Sequence, residues 1–151
     1  MSTFLEAIKS ALTGNNEAQR QIEAFINDSS VLTGPTTCLE LFSIEQDENV
    51  KYFIATIILS LSRKGKLGPP GQIWDFILNQ IHLQTNLSTL NILINSLCAA
   101  AIHLGDDHML SLANQVCGYC SDDNNGHNLM ILFFTSLIEE YNKNNQSFEC
   151  T

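Results

Sequence analysis

Residues 47–64 read DENVKYFIATIILSLSRK and carry the clearest periodic pattern in the chain. Their apolar residues recur at i, i+3, i+4, i+7, i+8 and i+11, the spacing that places side chains on one side of an α-helix. The stripe consists of Val50, Phe53, Ile54, Ile57, Ile58 and Leu61. Acidic residues at the start and basic residues at the end suit the helix dipole, and Gly65 is a typical helix terminator. The stretch therefore predicts a helix with one packed side.

Helical spacing also dominates the rest of the chain, which lacks the alternation of period two that marks strands. About eight such segments follow one another, separated by short turns rich in Gly, Asn and Pro. They pair as hairpins whose second helices end near Asn27, Lys64, Leu104 and Lys143, a recurrence close to the period of about 40–47 residues in HEAT or armadillo repeats. A single hairpin cannot bury its own apolar side, so neighbouring hairpins must stack.

This pattern predicts an all-α fold, a right-handed α-α superhelix of about four HEAT-like helical hairpins. We expect it to occupy residues 1–144 and to be followed by a frayed polar tail at residues 145–151. The eighth helix contains MILFF at residues 130–134, which is apolar over most of its circumference. A terminal hairpin normally has a polar outer side, so we expect further packing beyond residue 151.

Composition limits the classes of partner. The chain has 151 residues, 44% of them hydrophobic, and a net charge of -9, which argues against nonspecific binding to nucleic acid or anionic membranes. No apolar run is long enough to span a bilayer, and the N-terminal residues lack the basic segment of a signal peptide. We therefore expect a chain of the cytosol or nucleus whose five cysteines are reduced.

Candidate chemical motifs are weak. Residues 117–120 (CGYC) have the spacing of a redox dithiol, and His108 and His127 lie near enough in sequence to suggest zinc, but the motif follows a helix instead of a strand. Residues 121–126 (SDDNNG) have the composition of a calcium loop, yet Leu132 stands where the bidentate Glu is required. With no nucleophile elbow or phosphate loop either, we predict no catalytic residue, no metal site and no cofactor.

The order of the segments resembles the N-terminal domain of the importin-β superfamily. The strongest similarity covers residues 49–59 (NVKYFIATIIL), and residues 17–20 (EAQR) resemble the start of the family's second helix. Residues 88–97 (STLNILINSL) and 129–140 are similar to the transportin-SR-like branch. The likeness extends over nearly the whole chain, roughly residues 4–141.

This resemblance implies the N-terminal portion of a nuclear transport receptor, an importin or exportin that shuttles between cytoplasm and nucleus. Its partners would be the small GTPase Ran in its GTP form, protein cargo including basic cargo, and nucleoporins contacted through the rest of the receptor. Neither nucleic acid nor a membrane would be a partner. In this family the N-terminal repeats hold Ran through the second helices of the hairpins.

The corresponding residues of this chain lie opposite the apolar stripes of its second helices, and we call them the candidate surface. They are Glu17, Arg20, Asn27, Tyr52, Thr56, Leu59, Arg63, Ser88, Asn95 and His103, with Ile92 beside them. Such a mixture of aromatic, Arg and polar side chains is typical of protein interfaces. An ordinary solvated helix face is the alternative for each residue.

Two other functions fit a helical stack of this length. One is a stand-alone adaptor of the VHS or ENTH kind, which would contact membranes or sorting peptides. Seven Lys and Arg residues supply little for the basic patch that lipid binding needs. The other is a different HEAT-repeat scaffold, such as a phosphatase subunit. Both alternatives stay open at the level of sequence.

Overall fold

The computed structural model is entirely α-helical over the residues that it describes, which are 2–30, 33–68, 71–83, 86–120 and 126–149. This confirms the predicted all-α class. The helices are α1 (Ser2–Leu12), α2 (Asn16–Asp28), α3 (Thr33–Ile44), α4 (Glu48–Arg63), α5 (Gln72–Leu83), α6 (Leu87–Leu104), α7 (Asp106–Cys120) and α8 (Gly126–Glu149). The last helix continues past residue 145, where the sequence predicts a frayed tail.

Five pairs of consecutive helices contact each other: α1 and α2, α3 and α4, α5 and α6, α6 and α7, and α7 and α8. The second helices also form a row, because α2 contacts α4, α4 contacts α6 and α6 contacts α8. Among the first helices, α3 contacts α5. Helix α1 also contacts α4, and α7 also contacts α6. The result is one continuous core that extends from Ile8 in α1 to Phe133 in α8.

Helix α4 has the stripe that its sequence predicts. Five of the six stripe residues are buried, and Phe53 is half-buried. The helix begins after Asp47, whose side-chain carboxylate accepts a hydrogen bond from the Asn49 backbone N–H at 2.9 Å. This N-cap satisfies one of the backbone donors that the first helical turn leaves unpaired.

The end of α4 is a Schellman turn centred on Gly65. That residue has φ 73°, a left-handed conformation that favours glycine. Its N–H donates to the Ser62 carbonyl at 2.9 Å, and the N–H of Lys66 donates to the Leu61 carbonyl at 2.9 Å. The turn fixes the direction in which Lys66 leaves the helix.

Helix α6 is the most deeply buried helix of the described chain. Every residue from 93 to 101 is buried, so this segment has no solvent-exposed side. A helix buried on all sides needs neighbours on all sides. Here α4, α5, α7 and α8 supply them.

Substituting Gly65 tests the turn at the end of α4. Gly65→Ala is expected to lower the free energy of unfolding by about 1–2 kcal/mol, because a Cβ disfavours the left-handed conformation. Added volume contributes little, since the nearest atom to that Cβ would be His103 Nδ1 at 3.8 Å.

Urea denaturation gives the measurement, and Lys64→Ala is the matched control. Lys64 is the neighbouring exposed residue and has φ -88°, a conformation that alanine adopts freely. Equal stability of the two variants would contradict the role assigned to Gly65.

Candidate functional site

The candidate surface is divided by the structure into exposed, half-buried and buried members. The exposed ones are Glu17, Arg20, Asn27, Tyr52, Arg63, Ser88 and His103. Tyr52 on α4 has 40% of its surface exposed, so its ring is available to a partner. Thr56, one turn further along α4, is half-buried, and its hydroxyl donates to the Phe53 carbonyl at 2.6 Å.

Two expected surface residues are buried, and their assignment to an exposed face was wrong. Leu59 on α4 is 6% exposed and Asn95 on α6 is 7% exposed. The physical reason is the number of neighbours: α4 packs against α1, α2, α3 and α6, and α6 is surrounded by α4, α5, α7 and α8. Helix faces opposite the main stripe are therefore covered as well. The side-chain oxygen of Asn95 has no hydrogen-bond partner in the described part of the chain.

Arg63 has a structural role that the sequence did not indicate. Its guanidinium forms a bidentate ion pair with Glu140 of α8, with Nη2–Oε1 at 2.6 Å and Nε–Oε2 at 3.2 Å. The Glu140 side chain is only 4% exposed, whereas that of Arg63 is 41% exposed. Lys143 lies at 3.9 Å on the same carboxylate. The pair links α4 to α8 across the end of the intervening α6.

Two further contacts start from the same turn. His103 Nε2 lies 2.7 Å from the Arg63 carbonyl, which ties the end of α6 to the end of α4. The Lys66 ammonium donates to the carbonyls of Ile26 and Asn27 at 2.8 and 2.6 Å. These carbonyls belong to the last turn of α2, which has no intrahelical donors left to pair with them.

We call Arg63, Lys66, His103 and Glu140 the interhelix cluster. Arg63 and His103, predicted as partner-binding residues, make contacts between neighbouring helices through this cluster. Sequence reasoning did not name Lys66 or Glu140 as functional positions. A signal for Glu140 was present, because it continues the inward-facing spacing of Phe133, Ser136 and Leu137 on α8.

Helix α8 has a second apolar stripe that faces away from the core. Ile131, Phe134, Ile138 and Tyr141 recur at i, i+3, i+7 and i+10, and all are exposed. We call this stripe the open face of α8. Its spacing is that of a helix seam that packs on another helix.

The candidate chemical motifs lie mostly outside the described side chains. The backbone of residues 117–120 forms the end of α7, but the side chains of this CGYC motif and of His127 lie outside the described part, as do residues 121–125 of the calcium-like loop. Among the side chains that are described, no three His, Cys, Asp or Glu residues are grouped closely enough to hold a metal ion. No helix of the described chain is long and apolar enough to cross a membrane.

Two described cysteines are buried free thiols. Burial raises the pKa of the Cys38 thiol to about 12. Burial also raises the pKa of Cys98, and the nearby negative charge of Glu140 raises it further. Because only the thiolate is a good nucleophile, both side chains act as apolar core residues.

The ion pair of the interhelix cluster is tested by Arg63→Met. This variant keeps the aliphatic stem but leaves the buried carboxylate of Glu140 without its main partner. We expect a loss of about 2 kcal/mol in the free energy of unfolding, less than for a fully buried pair because water screens the exposed part of Arg63.

The matched control is Arg20→Met, which removes an exposed ion pair to Glu17 at 3.7 Å. Exposed pairs contribute little, so the expected loss there is below about 0.5 kcal/mol. If the two variants lost the same stability in urea denaturation, the proposed contribution of Arg63 would be wrong.

Alkylation tests the two thiols. At mildly alkaline pH, Cys38 and Cys98 should stay unmodified by iodoacetamide in the folded chain, since their raised pKa values leave almost no thiolate. Both should react once the chain is unfolded in urea. Peptide mapping by mass spectrometry resolves the two sites, and equal rates in folded and unfolded protein would refute this assignment.

The exposed members of the candidate surface thus comprise Tyr52 on α4, Arg63 and His103 in the interhelix cluster, and polar residues on α2 and α6. Tyr52 and Ser88 make no side-chain hydrogen bond within the described chain, whereas the side chains of Arg63 and His103 bond to other helices.

The chain matches no protein-family model, and no curated protein or solved structure shows significant similarity to it.

Proposed function

We propose that this chain is the N-terminal, Ran-binding portion of a nuclear transport receptor of the importin-β superfamily. The main support is the row of second helices α2, α4, α6 and α8, each packed on the next. A right-handed superhelix of HEAT-like hairpins requires such a row. In this proposal the row carries the surface that meets the GTPase.

Tyr52 is the proposed anchor of that surface. Its ring is exposed on α4, in the row between α2 and α6, and aromatic side chains supply much of the binding energy in protein interfaces. Glu17 and Arg20 on α2 and Ser88 on α6 are exposed polar residues that would form its surroundings. Arg63 and His103 would shape the edge of the surface through their contacts within the chain.

The open face of α8 also supports this proposal. Exposed apolar residues at helix-packing spacing suit an end of a repeat array on which a further hairpin packs. A transport receptor supplies such hairpins, and the remainder of the receptor would bind cargo, basic cargo included, and nucleoporins while shuttling between cytoplasm and nucleus. A stand-alone adaptor would need this face to stay in solvent or to bind a partner.

The decisive experiment is a pull-down of Ran loaded with GTP or with GDP. We expect the chain to retain Ran–GTP and to release Ran–GDP. Equal retention of Ran–GTP and Ran–GDP, or no retention of either, would reject the proposal and favour an adaptor or another HEAT-repeat scaffold. The length of the natural gene product also distinguishes a transport receptor from a stand-alone adaptor, because a receptor requires several hundred additional residues.

Tyr52→Ala tests the proposed anchor. We expect a loss of Ran–GTP affinity of about tenfold or more, the effect of removing a central aromatic residue from an interface. Ile44→Ala is the control, because Ile44 is an exposed apolar residue on α3, outside the row of second helices. Titration calorimetry gives both affinities, and an unchanged affinity for the Tyr52 variant would remove this residue from the proposed interface.

A further inference from the structure

A groove of about 680 Å³ lies between α1, α2 and the start of α3. Its volume falls in the range of small-ligand sites, and it opens to solvent. The lining combines apolar and polar side chains without a single cation: Phe4, Ala7, Gln21, Ala24, Phe25, Asp28, Ser29 and Thr33. The groove is separate from the candidate surface, since the two share no residue.

Aromatic rings form one wall of the groove. The rings of Phe4 on α1 and Phe25 on α2 contact each other in a tilted arrangement, with centroids 4.2 Å apart and an angle of 32° between their planes. Both rings are half-buried and line the groove, so part of their surface remains accessible. Aromatic faces attract cations, and the planar guanidinium of arginine stacks on them best.

The carboxylate of Asp28 lies next to the aromatic side of the groove. Asp28 is one helical turn beyond Phe25 on α2, which makes the two side chains neighbours on the helix surface. Asp28 is exposed and forms no ion pair with any cation of the described chain. Gln21, one turn before Phe25, adds an amide oxygen that can accept a hydrogen bond.

We propose that the groove binds an arginine side chain of a partner segment. The guanidinium packs against the accessible surface of the Phe4–Phe25 ring pair and pairs with the Asp28 carboxylate, while apolar residues beside the arginine contact Ala7 and Ala24. A net charge of -9 attracts a basic segment over a longer range. Arginine is favoured over lysine because its planar, forked group can stack and form two parallel hydrogen bonds at once.

The test uses the whole chain and a short probe, the acetylated and amidated peptide Gly-Leu-Arg-Leu-Gly. Binding is followed by two-dimensional NMR, with Lys and the neutral isostere citrulline in place of Arg as comparison probes. We expect the Arg peptide to shift resonances of Phe4, Phe25 and Asp28 and to bind about fivefold or more tightly than either comparison peptide.

Asp28→Asn is the main variant, and Glu23→Gln is its charge-matched control. Both replace an exposed carboxylate on α2, but Glu23 does not line the groove. We expect about a fivefold loss of affinity for the Arg peptide with the first variant and little change with the second. Phe25→Leu keeps an apolar side chain but removes the ring, so the preference for Arg over Lys should disappear.

Equal effects of the Asp28 and Glu23 variants would overturn the proposal, because they would indicate bulk charge attraction without a site. Equal binding of the three peptides would overturn it as well and would indicate an apolar-peptide groove. Retention of Ran is measured separately in the pull-down described above. Failure of one proposal therefore leaves the other unaffected.

Discussion

The fold depends on the enclosure of α6. A helix whose residues 93–101 are all buried cannot exist at a surface, so α4 and α8 must lie against it together with α5 and α7. This requirement explains why α4 and α8 lie beside α6, and α2 extends the row through its contact with α4. It also explains why the chain has few charged residues, since most positions of its central helices meet other helices instead of water.

Buried hydrogen bonds between the helices fix the position of each helix along its neighbour. The hydroxyl of Ser62 on α4 donates to the Ser96 carbonyl of α6, and Ser136 on α8 donates to the Asn91 side-chain oxygen of α6 at 3.3 Å. Breaking such a contact leaves a buried polar atom without a partner, which costs more than the hydrogen bond itself contributes. A shift of one helix along another is therefore disfavoured, although apolar side chains alone would tolerate it.

Sequence periodicity predicted the helices and the packed stripe of α4 because both depend on residues close together in the chain. It failed for Leu59 and Asn95, since the spacing of apolar residues identifies a helix's main packed side but not the number of neighbours on its other sides. The ion pair of Arg63 could not be predicted from local spacing, because its partner, Glu140, is 77 positions away in the sequence. The helical projection placed the other candidate residues, including Tyr52, on exposed helix faces, and all of them except the half-buried Thr56 are exposed.

The turn at residues 63–66 connects helices that lie far apart in the sequence. Repeat arrays can usually lose one terminal hairpin at a time, because each repeat touches only its neighbours. Here Lys66 contacts α2, the Arg63 carbonyl contacts α6 and the Arg63 side chain contacts α8, so one turn connects α4 with three other helices. Melting this turn would weaken each of them at the same moment. Amide hydrogen exchange in the last turns of α2, α4 and α6 would then proceed as one cooperative unit, with the ends no less protected than the middle.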